Sequence, residues 1–261
     1  MTIYLSHIME FNKQNIFNKV KAATQTTVVM DEGLRAYMLK VYNYMAAGVF
    51  LTGIISLISF KMAVVTDSTG AIAGFTSYGN TIFFSGFKWI VMCAFLVPAF
   101  YMMFAIKKMN VAKAQTVFWI FSALMGLSLS WILLVYTGAS VARVFFIASA
   151  TFGAMSIYGY TTKRDLTKLG SFCMMGLFGI IFASLANMFF KSGTTHFVIS
   201  IIGVLVFIGL TAYDTQKIKN MYAASDAGEL MGKKAIMAAL TLYLDFINLF
   251  LFLLRLFGQR R

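Results

Sequence analysis

The sequence predicts an all-α polytopic membrane protein, a seven-transmembrane-helix bundle, from three observations. Seven apolar stretches recur along the chain, each long enough to cross a bilayer. Charged residues make up only 12% of the chain and apolar residues 60%, with a mean hydropathy of +0.79. Lysines and arginines concentrate in alternate connections between the stretches. A soluble domain carries roughly 25% charged residues. A chain with half that charge cannot cover a globule with polar surface, so its exterior must face lipid.

The stretches run over residues 41–60, 89–106, 114–142, 144–162, 169–190, 192–213 and 235–254. A spanning helix needs about 20 apolar residues, because each adds about 1.5 Å across a hydrocarbon core of about 30 Å. All seven meet that requirement, and only the last carries a charge, Asp245. The third is longer than one span needs. Its polar end at Thr137, Gly138 and Ser140 marks the turn into the fourth. Barrel strands would be about 10 residues long with strict alternation, a pattern absent here. The 61–88 connection, rich in Thr, Ser, Gly and Asn with interspersed phenylalanines, reads as a loop lying partly in the membrane interface.

Basic residues set the orientation. Lys13, Lys19, Lys21, Arg35 and Lys40 precede the first helix. Lys107, Lys108 and Lys113 follow the second, Lys163, Arg164 and Lys168 the fourth, and Lys217, Lys219, Lys233 and Lys234 the sixth. The other side holds Lys61, Lys88, Arg143 and Lys191. The N-terminus is therefore expected in the cytoplasm. The basic C-terminal end, Arg255, Arg260 and Arg261, pulls the other way. The chain reads as a cytoplasmic tail (1–35), a seven-helix domain (36–258) and a short basic end (259–261). The tail is too charged for a signal peptide.

The net charge of +13 does not imply a nucleic-acid partner, since the basic residues sit at helix ends and form no patch. Cys93 and Cys173 lie in separate apolar runs and read as buried packing residues. His7 and His196 lack ligand-spaced partners, so no metal site and no cofactor is expected. No nucleophile–base pair, phosphate loop or zinc motif appears, and an enzyme is not expected.

The nine acidic residues are the informative ones. Seven fall in tails or loops. Asp214 ends the sixth stretch, and Asp245 sits within the seventh. A carboxylate in hydrocarbon costs several kcal/mol, so its presence is a functional hypothesis by default. Thr241 and Asn248 share the Asp245 face of their helix. Three readings stand open: Asp214 paired with Lys217 or Lys219, Asp245 satisfied by Asn248 or a hydroxyl, or the two aspartates facing each other. In the last case they share a proton, because two adjacent carboxyls cannot both ionise cheaply.

Tyr213-Asp214-Thr215-Gln216-Lys217-Ile218 and Leu242-Tyr243-Leu244-Asp245-Phe246-Ile247-Asn248-Leu249-Phe250 closely resemble the Bax inhibitor-1 (transmembrane Bax inhibitor motif, YccA-like) family. The order of seven hydrophobic segments agrees over 34–258. The stretch from Leu34-Arg35-Ala36-Tyr37 to Tyr44-Met45 looks like the bacterial branch. The resemblance implies a central seventh helix enclosed by the other six. It implies that Asp214 and Asp245 form a pH-sensitive latch on a calcium-permeable leak, with calcium passing near the pair. It places the protein in a bacterial inner membrane, with the eukaryotic reticulum as the alternative. The family pattern also puts an arginine near the end of the second helix, reaching the pair, where this chain has Lys107 and Lys108. A lysine offers a point charge without the planar fork, so the latch would be weaker or tuned differently.

Two other functions compete. A non-transporting regulator of another membrane protein, such as a quality-control protease, would use the N-terminal tail as its handle. The Tyr213-Asp214 pair superficially resembles intramembrane aspartyl proteases. Those proteases need Gly-x-Gly-Asp where this chain has Leu242-Tyr243-Leu244-Asp245, and a Pro-Ala-Leu segment, while the only proline here is Pro98. One geometric tension follows from the spacing. In simple full crossings Asp245 would lie roughly 15 Å deeper than Asp214. For them to meet, the start of the seventh helix must project towards the cytosol, or the end of the sixth must lie deep in the bundle. The seventh helix is expected to end near the outer face, against the alternative of a re-entrant turn.

Overall fold

The computed structural model describes residues 2–68, 71–226 and 228–261, with side chains from Glu32 onward. Helix α1 runs over Thr2–Ala63. A short antiparallel hairpin follows, β1 (Val64–Thr66) and β2 (Ile72–Phe75), with Val64 opposite Phe75. Then come α2 (Ser77–Gly79), a π-turn (Asn80–Phe84), α3 (Lys88–Cys93) and α4 (Leu96–Ala105), which tightens into a 3-10 turn at Ile106–Lys108. The remaining helices are α5 (Val111–Val135), α6 (Gly138–Thr161), α7 (Thr167–Phe190), α8 (Gly193–Asn220) and α9 (Gly228–Phe257). Seven segments are long and apolar enough to cross a membrane: Glu32–Ala63, Lys88–Lys108 and α5 to α9. All seven expected spans are present, and the fold is an all-α membrane bundle.

Local chemistry explains where each span begins and breaks. Asn110, Thr137 and Ser192 cap α5, α6 and α8, each side-chain oxygen accepting the amide three residues on. Before α7 the Asp165 carboxyl accepts the hydroxyl and amide of Thr167, which hold it below the usual carboxylate range. The second span is interrupted at Ala94 and Phe95, four residues before Pro98. Proline has no amide to give to the Ala94 carbonyl, and its ring crowds that oxygen. The Val97 amide turns to the Ala94 carbonyl instead, at 3.4 Å. The 61–88 connection folds into the hairpin and short turns, more ordered than its composition suggests.

Burial divides the helices into two layers. Of the apolar core of α9, 72% is buried, against 17–50% for the other six spans. The principal neighbours of α9 are α1, α5, α6 and α8, while α7 packs chiefly on α8, and α3 and α4 on α5. The seventh helix is thus central, but four helices close around it rather than six. The outside of α7 is a belt of exposed Phe172, Met175, Phe178 and Phe182, as a lipid-facing surface requires. Cys173 is buried, but Cys93 is exposed on α3 and is not the packing residue that its apolar run suggests.

Close packing rests on glycines where backbones meet. A Cβ at Gly159 would strike the Ala212 carbonyl, so this glycine sets the approach of α6 to α8. Gly203 lies beneath the Phe252 ring, which stacks on Phe207 at 5.8 Å and fixes the register of α8 against α9. At one end of the bundle Lys234 clips the α8–α9 connection, reaching the Met221 carbonyl at 3.1 Å and the Asp226 carboxylate at 2.6 Å. At the other end, residues 259–261 are docked on the α5–α6 turn. The Thr137 amide donates to the Gln259 carbonyl, the Arg261 amide to the Val135 carbonyl, and Tyr136 bridges Arg260. Helix α9 is therefore continuous and ends beside that turn, without a re-entrant bend.

Gly159→Ala is expected to destabilise the bundle by about 1–3 kcal/mol, the usual cost of overpacking. Gly153→Ala, on the same helix with no atom within 4 Å of the added methyl, is expected to be neutral or slightly stabilising. Thermal unfolding of the two variants in detergent checks the difference.

Candidate functional site

The two membrane aspartates lie on helices that pack against each other, Asp214 near the end of α8 and Asp245 within α9. Asp214 and Asp245 are 9% and 6% exposed. Each carboxyl group acts on the other electrostatically. Two carboxyls can hydrogen-bond to each other only by holding a proton between them. The Oδ2 of Asp245 is buried without a hydrogen-bond partner. Lys217, one turn beyond Asp214, is the cation that acts on it, with its ammonium 5.8 Å from the Tyr213 ring centroid.

The register of α8 and α9 resolves the depth problem. Asp214 lies 6 residues before the end of α8, and Asp245 lies 17 residues after the start of α9. At about 1.5 Å per residue these are about 9 Å and 25 Å. The first turns of α9 therefore overhang the end of α8 by roughly 16 Å. Lys234 ties this overhang to the connection at Met221 and Asp226. Of the two arrangements that the spacing permits, the structure adopts the projecting seventh helix.

Other expected site residues fall elsewhere. Thr241 and Asn248 bond back to their own helix, to the Met237 carbonyl at 3.2 Å and the Leu244 carbonyl at 2.8 Å. Asn248 thus spends its side-chain amide on the Leu244 carbonyl one turn earlier, in addition to that carbonyl's helical bond, and not on Asp245. Lys107 and Lys108 are exposed in the 3-10 turn after α4, and α4 packs chiefly on α5. Neither is among the groups that act on Asp214 or Asp245. Lys219, offered as a partner for Asp214, instead donates to the Tyr160 carbonyl at 2.8 Å.

A second polar contact lies on the other side of α9. The Tyr243 hydroxyl bonds Thr52 Oγ1 at 2.6 Å, and Thr52 donates to the Ser122 carbonyl at 2.8 Å. Two residues along a helix turn the side chain through about 200°. Tyr243 therefore points at α1 and α5 while Asp245 points at α8. Nothing in the sequence singled out Thr52, one hydroxyl among several in an apolar run. The hydroxyls of Ser156 and Thr215 are also buried without a partner. No group of three or more His, Cys, Asp or Glu that could hold a metal occurs among the described residues.

Comparison with known proteins agrees with this architecture. The model of the family described as inhibitor of apoptosis-promoting Bax1 matches residues 34–261. A Rickettsia prowazekii protein, RP147, is 50% identical over 94% of this chain and 98% of its own length. The inner membrane protein YbhL of Escherichia coli is 43% identical over 88% of this chain and 94% of its own. A Caulobacter vibrioides protein is 40% identical over 95% and 99%. With the matched region covering all seven spans, both aspartate motifs and the docked C-terminal segment, the chain belongs to the Bax inhibitor-1 family.

Proposed function

We propose that this protein is a pH-controlled leak for cations, calcium foremost, closed while Asp214 and Asp245 share a proton and open once that proton is lost. What supports the reading is that two carboxyls are buried on packed helices and act on each other. Like charges at such a separation repel strongly where water is scarce. Losing the shared proton therefore drives α8 from α9 at the one place where both carry charge. Two carboxylates also attract a divalent cation. They offer far fewer than the 6–8 oxygens of a calcium-storing site, which suits transient passage.

The excess of Lys and Arg at the end holding the α8–α9 connection supports a cytoplasmic location for that end and for the N-terminus. The likeness to an Escherichia coli inner membrane protein supports a bacterial inner membrane. The pair would then report cytoplasmic acidity. Acidification favours the shared proton and closure, and alkalinisation favours flux.

A second reading, a non-transporting regulator that docks on another membrane protein such as a quality-control protease, is favoured by one feature. Helix α1 continues ahead of its membrane-spanning part from Thr2 onward. Removing residues 1–31 separates the two readings: loss of partner capture with flux intact supports docking through this segment, and unchanged capture excludes it.

Calcium flux into liposomes is expected to rise with pH by at most about tenfold per unit, the limit for release of one proton. Asp214→Asn and Asp245→Asn are each expected to flatten that profile, and a wild-type profile in both variants would remove the mechanism. Lys217→Gln takes away the charge that favours an ionised Asp214, so its flux midpoint is expected to move to higher pH. Lys107→Gln and Lys108→Gln are expected to leave the midpoint in place.

A further inference from the structure

At the end of the bundle opposite the α8–α9 connection, a cavity of roughly 570 Å³ opens between the end of α7, the start of α8 and the end of α9. Lys191, His196, Arg255 and Arg260 line it, together with Asn187 and Ser200. No Asp or Glu lines it. The two ion pairs among the described residues, Lys233–Glu229 and Lys234–Asp226, lie at the other end. The only acidic side chain described at this end, Asp67, sits in the hairpin and accepts the Ala71 amide. Three permanent cations thus converge on one concavity whose lining supplies no counter-charge.

The hydrogen-bonding capacity of the lining points the same way. Asn187 spends its carbonyl oxygen on the Ser192 amide, which leaves its NH2 group as the free function. Ser200 donates to the His196 carbonyl. Lysine and arginine only donate. The cavity is therefore rich in donors and positive charge, and it is built on fixed elements. Lys191 occupies the left-handed C-cap of α7 (φ 51°), and the strand-like bridge to Tyr136 holds Arg260 in place. Its surroundings are apolar: Met188, Phe189, Phe190 and Phe197 are largely exposed. A ligand seated here meets several donors at its head and hydrocarbon beside it.

We infer that this cavity binds a phosphate-class oxyanion, the headgroup phosphate of an anionic phospholipid, whose acyl chains lie along the apolar rim. Phosphate matches the lining because it presents several acceptor oxygens to ammonium and guanidinium donors. The rim favours a phosphate carried on lipid over a free one. The bland account, that these residues merely anchor helix ends in the interface, requires no convergence on a cavity and no saturable binding.

The test titrates the full chain in neutral detergent with phosphatidylglycerol, with phosphatidylcholine of the same chains, and with inorganic phosphate, reading the thermal midpoint. Phosphatidylglycerol is expected to raise the midpoint saturably and phosphatidylcholine is not. Lys191→Gln combined with Arg255→Gln is expected to require about tenfold more phosphatidylglycerol, the loss typical of a charged hydrogen bond. Because Arg255 also lies over the Phe252 ring at 5.1 Å, Lys191→Gln and Arg260→Gln are read singly as well, each with a smaller shift in the same direction. Lys61→Gln, at the same end but outside the cavity, is expected to titrate like wild type. Equal response to the two lipids, wild-type titration in all cavity variants, or equal weakening by Lys61→Gln overturns the site. Full reproduction of the effect by inorganic phosphate overturns its assignment to lipid.

Discussion

A carboxyl group at the centre of a membrane bundle must be neutral, paired or sealed by protein, and most of this architecture answers that constraint at Asp245. Ionised and alone in hydrocarbon it would cost several kcal/mol. The protein meets the cost in two ways. It wraps α9 with α1, α5, α6 and α8, so that Asp245 sees no lipid. It also sets a second carboxyl, Asp214, on the neighbouring α8, where each acts on the other; on the proposed reading a single proton serves both. The overhang of α9 past the end of α8 is the geometric condition for that arrangement.

Wrapping a central helix creates its own demands. Every side of α9 faces protein, so each polar group on it needs a partner at its own azimuth. Tyr243 finds Thr52 across one face and Asp245 finds Asp214 across the other, two residues apart in sequence. Close approach is bought by small residues. Gly159 admits the Ala212 backbone, and Gly203 admits the Phe252 ring. The lipid-facing sides of the outer helices need no such fit, since lipid adapts to whatever they present. Their exposed phenylalanines and methionines follow from that freedom.

The seven spans were legible in the sequence because apolar length alone decides whether a helix can cross a bilayer. The two aspartates were legible as candidates, since charge in an apolar run is rare, while the depth argument left two arrangements open. The azimuth of each helix was not legible. In a membrane protein the lipid-facing and core-facing sides have the same apolar composition, so the exposure of Cys93 and the burial of Thr52 leave no trace in hydropathy. The failure at Lys107 and Lys108 has the same root. A segment model fixes where a helix ends but not its layer, and α4 lies outside α5. The break at Ala94 and Phe95 was in principle readable from Pro98.

The two clamps on α9 limit how the bundle can move. One end is tied through Lys234 to the α8–α9 connection, and the other through residues 259–261 to the α5–α6 turn. Sliding by even one residue, about 1.5 Å, would strain both ties at once. Piston motion along the axis is therefore disfavoured. The freedom left to this helix is bowing or twisting about fixed ends, and such motion is largest near mid-length, where the carboxyl sits.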